Sequence, residues 1–321
     1  MLSYGLLFLL VAARLRTLEQ AQRLALALAV TAAPLAALGL AQALGWNPLP
    51  LITDARSPIF ATLGRSNFLG AYLAMLVPLT LALMLPTASR RQWLTWAGLL
   101  AAEGTILGLT QSRGAWLAAG VAVAVFALIR SWEWLGAHGR RLQVLACGAA
   151  VVGVVGSLGL ALWAGSSSGS TAARLTIWRA VARLVAERPM LGYGPEALDL
   201  VFPRAYPPEL VYYEGRGVLV DRAHNLLLDW AATTGVVGVL AQGALLALFF
   251  VVGWRAAQRA VDPGRRALLA GCVAGVGGNV AGNLVGFDTT ATATATALLM
   301  ALVVGLARQG SPGGMVQATR E

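Results

Sequence analysis

The sequence predicts an all-α, polytopic integral membrane protein with about eight or nine transmembrane helices and one long external loop that carries an amphipathic helix. Of the 321 residues, 58% are hydrophobic and only 12% are charged, and the mean hydropathy is +0.70. A soluble globular domain does not have this composition. The apolar residues are grouped into long runs, and the 24 basic residues, all of them arginine, are distributed unequally between alternate loops.

Eight of the apolar runs are long enough to cross the roughly 30 Å of bilayer hydrocarbon. The predicted spans are residues 23–44, 68–86, 93–110, 114–129, 142–164, 226–252, 266–286 and 289–307. A ninth run, residues 2–13, is too short for a complete span and lacks the charged start and cleavage site of a signal peptide. We interpret it as the tail of a helix. The predicted organisation is therefore transmembrane helices over 1–164, an external loop over 165–222, further transmembrane helices over 223–308 and a tail over 309–321.

The arginines predict the orientation of these spans. When loops are assigned alternately to the two sides, one side carries fourteen arginines and the short loops opposite carry only Arg56, Arg65 and Arg113. The positive-inside rule makes the first side cytoplasmic, so the long loop is external, and its seven arginines do not oppose this because long loops translocate regardless of charge. The same topology explains the net charge of +10 without nucleic acid, which we exclude as a partner.

The external loop contains one predicted helix. After the linker GSSSGS, the segment TAARLTIWRAVARLVAERP has apolar residues at helical spacing with arginines between them, and Pro189 stops it. We expect this amphipathic helix to lie on the outer membrane surface. Residues 192–195, GYGP, predict a tight turn. The prolines of the following segment exclude a regular helix, and its tyrosines suit either sugar rings or the headgroup level. A merely interfacial loop is the alternative.

His224 is the candidate for chemistry, because it stands where an apolar helix emerges from the membrane and its imidazole can transfer protons near neutral pH. The alternative is an interfacial histidine that caps its helix. The other histidine, His138, is predicted on the opposite side of the membrane, and Cys147 and Cys272 lie in apolar runs. Neither a zinc site nor a disulfide framework is therefore predicted.

Three acids lie within or beside apolar runs, where an unpaired charge is costly: Glu103, Asp229 and Asp288. Asp229 follows His224 by five residues, which places it on another face of the helix, so we do not expect the two side chains to pair. Glu103 suits a structural pair or a protonated carboxyl and receives no functional role. The small residues of GCVAGVGGNVAGN and of the last helix predict close helix packing.

Four motifs, in this order, resemble the O-antigen ligase and polymerase superfamily. They are GRSNFLGAYLAMLVPL at 64–79, LTQSRGAWLA at 109–118, RLTIWRAVARLVAERPMLGYGP at 174–195, and the histidine motif that follows. In that family the histidine precedes Asn, Ser or Gln, nine further residues, Gly, two residues, and Gly, Thr or Tyr. His224, Asn225, Gly235 and Gly238 fit this spacing.

The resemblance implies an integral-membrane glycosyltransferase of the GT-C-like type. It would move a glycan from an undecaprenyl diphosphate carrier to a hydroxyl of a lipid A-core acceptor, on the periplasmic face of a bacterial inner membrane and in contact with membrane lipid. His224 would be the general base. Two arginines of the family match Arg113 and Arg174, whose fork-shaped donors suit a diphosphate.

Further site residues are expected around these three. Arg179 and Arg222 would help to bind the diphosphate. Asn67, Asn225 and Asp288 would be supporting residues. Asp288 matches an acidic position near the end of related ligases and would orient His224 or an arginine. Because arginines would neutralise the leaving group, no metal and no cofactor are expected. The simpler alternative for Arg113 is a helix-end charge that extends to the interface.

Other activities remain open at this stage. A polymerase of the same superfamily would use a growing glycan as the acceptor, and related oligosaccharyltransferases modify protein serines. A solute transporter, from a different class, is disfavoured because the basic residues gather on one face of the membrane rather than at its middle. Relatives usually have about a dozen helices, so we expect the family's first helices to be missing here, through a late start of the reading frame or because this is a reduced member.

Overall fold

The computed structural model describes residues 2–48, 59–145, 148, 169–215 and 219–309. The regular structure of these residues is helical, and no strand occurs among them, which confirms the predicted all-α class. The helices are α1 (Leu2–Arg14), α2 (Leu18–Val30), α3 (Ala32–Ala43), α4 (Ser66–Met84), α5 (Arg90–Leu109), α6 (Arg113–Ala137), α7 (Gly169–Glu187), α8 (Leu198–Val201), a 3-10 helix (Phe202–Ala205), α9 (Leu210–Glu214), α10 (Leu226–Arg259), α11 (Pro263–Asn283) and α12 (Thr290–Gln309).

Within the described residues, five helical segments are long and apolar enough to cross a membrane. They are Leu18–Ala43, Ser66–Met84, Arg113–Trp132, Leu226–Arg259 and Thr290–Gln309. Each coincides with a predicted span, and the first is interrupted at Thr31 between α2 and α3. The predicted spans 93–110 and 266–286 are also helical, as α5 and α11, but their charged residues, asparagines and glycines make them less apolar than the five. The predicted span 142–164 lies almost entirely outside the described residues. The chain is a polytopic membrane protein.

The chain divides into two compact units. Unit 1 comprises Met1–Val154, Phe249–Asn279 and Asp288–Glu321, and unit 2 comprises Val155–Leu248 and Val280–Phe287. In unit 1, α4 is the most buried of the candidate spans and packs against both α5 and α6. Unit 2 holds α7, the short helices that follow it and the first part of α10.

Glycines of α11 bring helices of unit 1 into close contact. A Cβ added to Gly271 would lie 2.8 Å from the carbonyl oxygen of Pro78 on α4, and a Cβ added to Gly278 would lie 2.7 Å from the carbonyl oxygen of Ala118 on α6. A larger residue at either position would push the helices apart. The prediction that the cluster GCVAGVGGNVAGN permits close packing is confirmed.

Glu103 on α5 is fully buried. Its Oε1 accepts a hydrogen bond from the Thr80 hydroxyl on α4 at 2.8 Å. This pair joins two neighbouring helices of unit 1, so the contact that the structure gives Glu103 is structural.

Unit 2 has a small core of its own, built on one face of α7. The buried residues of this helix recur at helical spacing: Ala173, Ile177, Ala180, Val181 and Leu184. They pack with Leu198, Val201, Phe202 and Leu210 of the following segment. The predicted amphipathic helix is confirmed, and it ends two residues before Pro189. Val181 and Leu184 lie on the apolar face, which we expected on the membrane surface, and they are covered by protein instead. A helical stripe shows which face is apolar but not what covers it.

Candidate active site

His224 lies in a bend of the chain, two residues before the start of α10. Its backbone φ is +52°, in the left-handed region, which costs a residue other than glycine on the order of 1–3 kcal/mol. The imidazole is half-buried and packs edge-on against the ring of Phe287, with centroids 4.9 Å apart and an interplanar angle of 73°. The backbone and the aromatic contact together restrict the direction in which the imidazole can point.

Asn225 caps α10. Its Oδ1 accepts hydrogen bonds from the backbone N–H groups of Leu227 and Leu228, both at 3.1 Å, which are donors that a helix start leaves unpaired. Its Nδ2 donates to the carbonyl oxygen of Leu284 at 2.9 Å. The capping role that the sequence left open for His224 is therefore taken by Asn225.

Arg222 is held between two carboxylates. One terminal nitrogen donates to both oxygens of Glu196, at 2.8 and 2.6 Å, and the other lies 3.8 Å from Oδ2 of Asp229. Oδ1 of Asp229 in turn accepts the backbone N–H of Ala223 at 2.9 Å. Burial lowers the pKa of Arg222, but the hydrogen bond to Glu196 and the surrounding carboxylates outweigh burial, so the pKa is raised. The network ends one residue from His224.

Glu196 was not predicted as a site residue. It is 26 residues from Arg222, so no helical or strand period relates the two. Its backbone φ is +56°, directly after the GYGP turn, and this unusual conformation is visible only in the structure. An acid at the end of a glycine-rich turn was the single available signal, and it is a weak one.

Residues 189–194, which we call the strap, run alongside a kink in α10. The kink is at Gly235, where φ is 63° and ψ is −170°. Four backbone hydrogen bonds join the two segments: Tyr193 N to Ala232 O at 2.8 Å, Gly194 N to Thr233 O at 2.9 Å, Val236 N to Pro189 O at 2.8 Å and Val237 N to Met190 O at 3.4 Å. The kink thus frees backbone groups of the helix to pair with the strap.

Each glycine of the histidine motif leaves room for a neighbouring group. A Cβ at Gly235 would lie 2.2 Å from the carbonyl carbon of Met190, and a Cβ at Gly238 would lie 1.9 Å from the Thr234 hydroxyl. Both contacts are far below van der Waals distance. Gly235 therefore permits a backbone-to-backbone contact between the strap and α10, whereas Gly238 leaves room for the Thr234 side chain within α10.

Arg174 lies half-buried on α7. Burial lowers the pKa of Arg174, and the negative charge of Glu214 partly opposes this effect. In the part of the chain that the structure describes, no carboxylate pairs with its guanidinium within 4.0 Å. Because arginine stays protonated, Arg174 is a partly desolvated cation with no bonded counterion among the described residues, which is the state of a residue prepared for an anion. Arg179, about 140° further around the helix, is exposed.

The remaining predicted site residues belong to unit 1. Arg113 is exposed and is the first residue of α6. Asn67 is half-buried in the first turn of α4. Asp288 is exposed, and one of its oxygens accepts a hydrogen bond from Asn279 Nδ2 at 2.8 Å. The roles expected for these three residues stay predictions.

Among the described residues, no group of three or more histidines, cysteines and acids comes close enough to hold a metal ion. Cys272 is buried, and Cys147 lies outside the described residues. That transfer needs no metal stays a prediction, which rests on the arginines rather than on this absence.

Residues 98–243 match the family model described as O-antigen ligase. The matched range contains the strap, His224, Asn225 and both motif glycines, together with all four arginines expected at the diphosphate; it does not include Asn67 or Asp288. No curated protein matches the chain.

Proposed function

We propose, from the match of residues 98–243 to the family model described as O-antigen ligase, that this membrane protein is a glycosyltransferase. It moves a glycan from an undecaprenyl diphosphate carrier to a hydroxyl of a lipid A-core acceptor, on the periplasmic face of the bacterial inner membrane. The observation that carries the proposal is the half-buried His224, held with a left-handed backbone between the Arg222 network and the Asn225 cap.

His224 acts as the general base. A ring nitrogen accepts the proton of the acceptor hydroxyl while that oxygen forms a bond to the anomeric carbon of the glycan. The bond from this carbon to the diphosphate oxygen breaks, and its electron pair leaves with the lipid diphosphate. The imidazolium then returns its proton to solvent. A positioned base of this kind contributes typically about 10²- to 10⁴-fold in rate.

Arginines stabilise the diphosphate as its negative charge grows. Arg174 is the first choice, because it is partly desolvated and lacks a paired carboxylate among the described residues. Arg113 joins it on the strength of its family motif, and Arg179 and Arg222 are placed at the edge of the clamp. Since Arg222 is already neutralised by Glu196 and Asp229, we assign it the weakest direct contact. Fixed cations of this kind replace a metal in neutralising a leaving group.

The residues of the proposed site act on the donor and on the acceptor proton, so they do not distinguish a ligase from a polymerase. The acceptor of a polymerase would be a growing glycan bound to the same carrier. The assay below therefore offers both acceptors.

The test is transfer by the purified protein in vesicles that contain an undecaprenyl diphosphate glycan as donor and either a lipid A-core or a carrier-linked growing glycan as acceptor. We expect His224→Ala and His224→Gln to lose turnover by about 10²-fold or more, with donor affinity retained, because the base contacts the acceptor proton rather than the diphosphate. His138→Ala, which changes the exposed histidine at the end of α6, is the matched control and should transfer normally.

Near-normal turnover of both His224 variants would contradict the proposed chemistry. Movement of the intact lipid-linked glycan across the vesicle membrane, without transfer to either acceptor, would instead establish the transporter.

A further inference from the structure

The tip of the strap exposes two large apolar side chains. Met190 is 61% exposed and Leu191 is 73% exposed. They cannot turn inward, because the strap backbone is bonded to α10 on both sides of them, through Pro189 O and Tyr193 N. An exposed apolar pair on a fixed backbone needs a non-aqueous partner or remains in unfavourable contact with water.

The position of the tip along α10 identifies that partner. Residues 236–254 of α10 contain no charged residue, and these nineteen residues span about 28 Å at 1.5 Å per residue, close to the thickness of the hydrocarbon. The charge-free stretch itself starts at Trp230, but its first part contains the polar Thr233 and Thr234. Counted back from Arg255, the nineteen residues begin at Val236, whose N–H donates to Pro189 O. The tip is therefore at the level where α10 enters the hydrocarbon on the external side.

The residues at the two ends of the strap are also typical of the membrane–water interface. Arg188 precedes it, with its guanidinium carbon 5.1 Å from the centroid of the Tyr193 ring, and the Tyr193 hydroxyl donates to Glu187 at 2.7 Å. Arginine and tyrosine are typical of the membrane–water interface, where a polar end stays in water and the rest contacts lipid. Exposed Val236, Val237 and Leu240 of α10 continue the apolar surface beyond the tip.

We propose that Met190 and Leu191 insert into the acyl chains of the outer leaflet and anchor the external loop to the membrane. The occupant of this surface is membrane lipid. The anchor joins the loop to α10 just below the headgroup level, at which a carrier lipid would present its diphosphate. The inference does not depend on the proposed transfer reaction and is tested without a donor.

The experiment measures the depth of a spin label in vesicles of phosphatidylethanolamine and phosphatidylglycerol. Met190→Cys and Leu191→Cys are labelled separately in a protein whose Cys147 is alanine; Cys272 is buried and is retained. Leu240→Cys on α10 is the control for hydrocarbon, and Glu209→Cys, an exposed acid of the same loop, is the control for water.

We expect labels at both tip positions to be accessible to oxygen and protected from a water-soluble nickel complex, as at position 240. Accessibility to nickel equal to that at position 209 would overturn the anchor.

A second measurement uses the unsubstituted protein and a phosphatidylcholine that carries a diazirine at the end of one acyl chain. After illumination, an adduct on the peptide that contains the strap is expected. Adducts on α10 without any on the strap would equally overturn the inference.

Discussion

Gly235→Ala tests whether the strap is held against α10 by direct backbone contact. The glycine has a φ of 63° with a ψ of −170°, a conformation that alanine rarely adopts. The added Cβ would lie 2.2 Å from the carbonyl carbon and oxygen of Met190 and 2.5 Å from the Leu191 nitrogen. These are backbone atoms, so they cannot rotate away as the end of a side chain could.

The free-energy cost of Gly235→Ala comes from the unusual backbone conformation and from the overlap of the added Cβ with the strap. A left-handed or more unusual backbone costs a residue other than glycine about 1–3 kcal/mol, and forcing an extra carbon into a packed contact costs typically about 1–3 kcal/mol. The strap can avoid the overlap only by leaving α10, which would break four backbone hydrogen bonds worth about 0.5–1.5 kcal/mol each. We therefore expect the free energy that favours the docked strap over the open one to fall by about 2–6 kcal/mol, which raises the population of the open strap about 30-fold or more.

Hydrogen exchange measured by mass spectrometry reports this opening directly. In Gly235→Ala, the amides of Tyr193, Gly194 and Val236 should exchange faster, while those of unit 1 should not change. Gly243→Ala is the matched control on the same helix, because a Cβ there meets nothing within 4 Å. The control should keep the strap protected and can gain up to about 1 kcal/mol in helix stability. Unchanged protection of the strap in Gly235→Ala would refute the contact as the reason for the glycine.

Three further predictions concern the charged residues. Lysine in place of Arg113 or Arg174 keeps the positive charge but cannot donate two parallel hydrogen bonds, so donor affinity should fall. Alanine at either position should lower donor affinity roughly tenfold to a hundredfold, because a hydrogen bond to a charged group is worth about 1.5–3 kcal/mol. Burial disfavours the Arg174 cation at neutral pH, as its lowered pKa indicates, so Arg174→Ala should not lower Tm. Titration with a short-chain donor analogue measures the donor affinity, and thermal unfolding measures Tm. Arg183→Ala, which changes an exposed arginine of the same helix as Arg174, is the control. Unchanged donor affinity in both alanine variants would mean that Arg113 and Arg174 only anchor helix ends. Glu196→Gln should lower kcat about fivefold, for a loss of about 1 kcal/mol at an exposed partner, and leave donor affinity nearly unchanged, whereas Glu209→Gln should change neither. A change in donor affinity alone would contradict the weak contact with the diphosphate that we assign to Arg222.

The helices could be predicted from the sequence because their signal is local. An apolar run of sufficient length, or apolar residues at helical spacing, is complete within one segment, and both α7 and the five candidate spans follow from it. The position of His224 directly before an apolar helix was equally local. What covers an apolar face depends on other segments, so the burial of Val181 and Leu184 under the loop's own residues could not be predicted.

The network around His224 could not be predicted for the same physical reason. The ion pair of Arg222 joins residues 26 positions apart, and the strap pairs with α10 through backbone atoms, which every residue carries. Neither contact produces a period or a characteristic composition. Gly235 and Gly238 were recognised only as members of a motif, and their purpose required the positions of the atoms that a Cβ would meet.

Several candidate site residues lie in or close to strained backbone. The described residues other than glycine with positive φ are Ala61, Gln111, Glu196 and His224, and the last three lie within the matched range 98–243. Gln111 is two residues before Arg113, Glu196 binds Arg222, and His224 is the proposed base. Such conformations persist only where surrounding contacts outweigh their cost, and they concentrate where a side chain must be held in one direction. The energy that holds the imidazole is therefore supplied when the protein folds, through the Asn225 cap and the Asp229 bond to Ala223, so the base needs no reorganisation when the acceptor arrives.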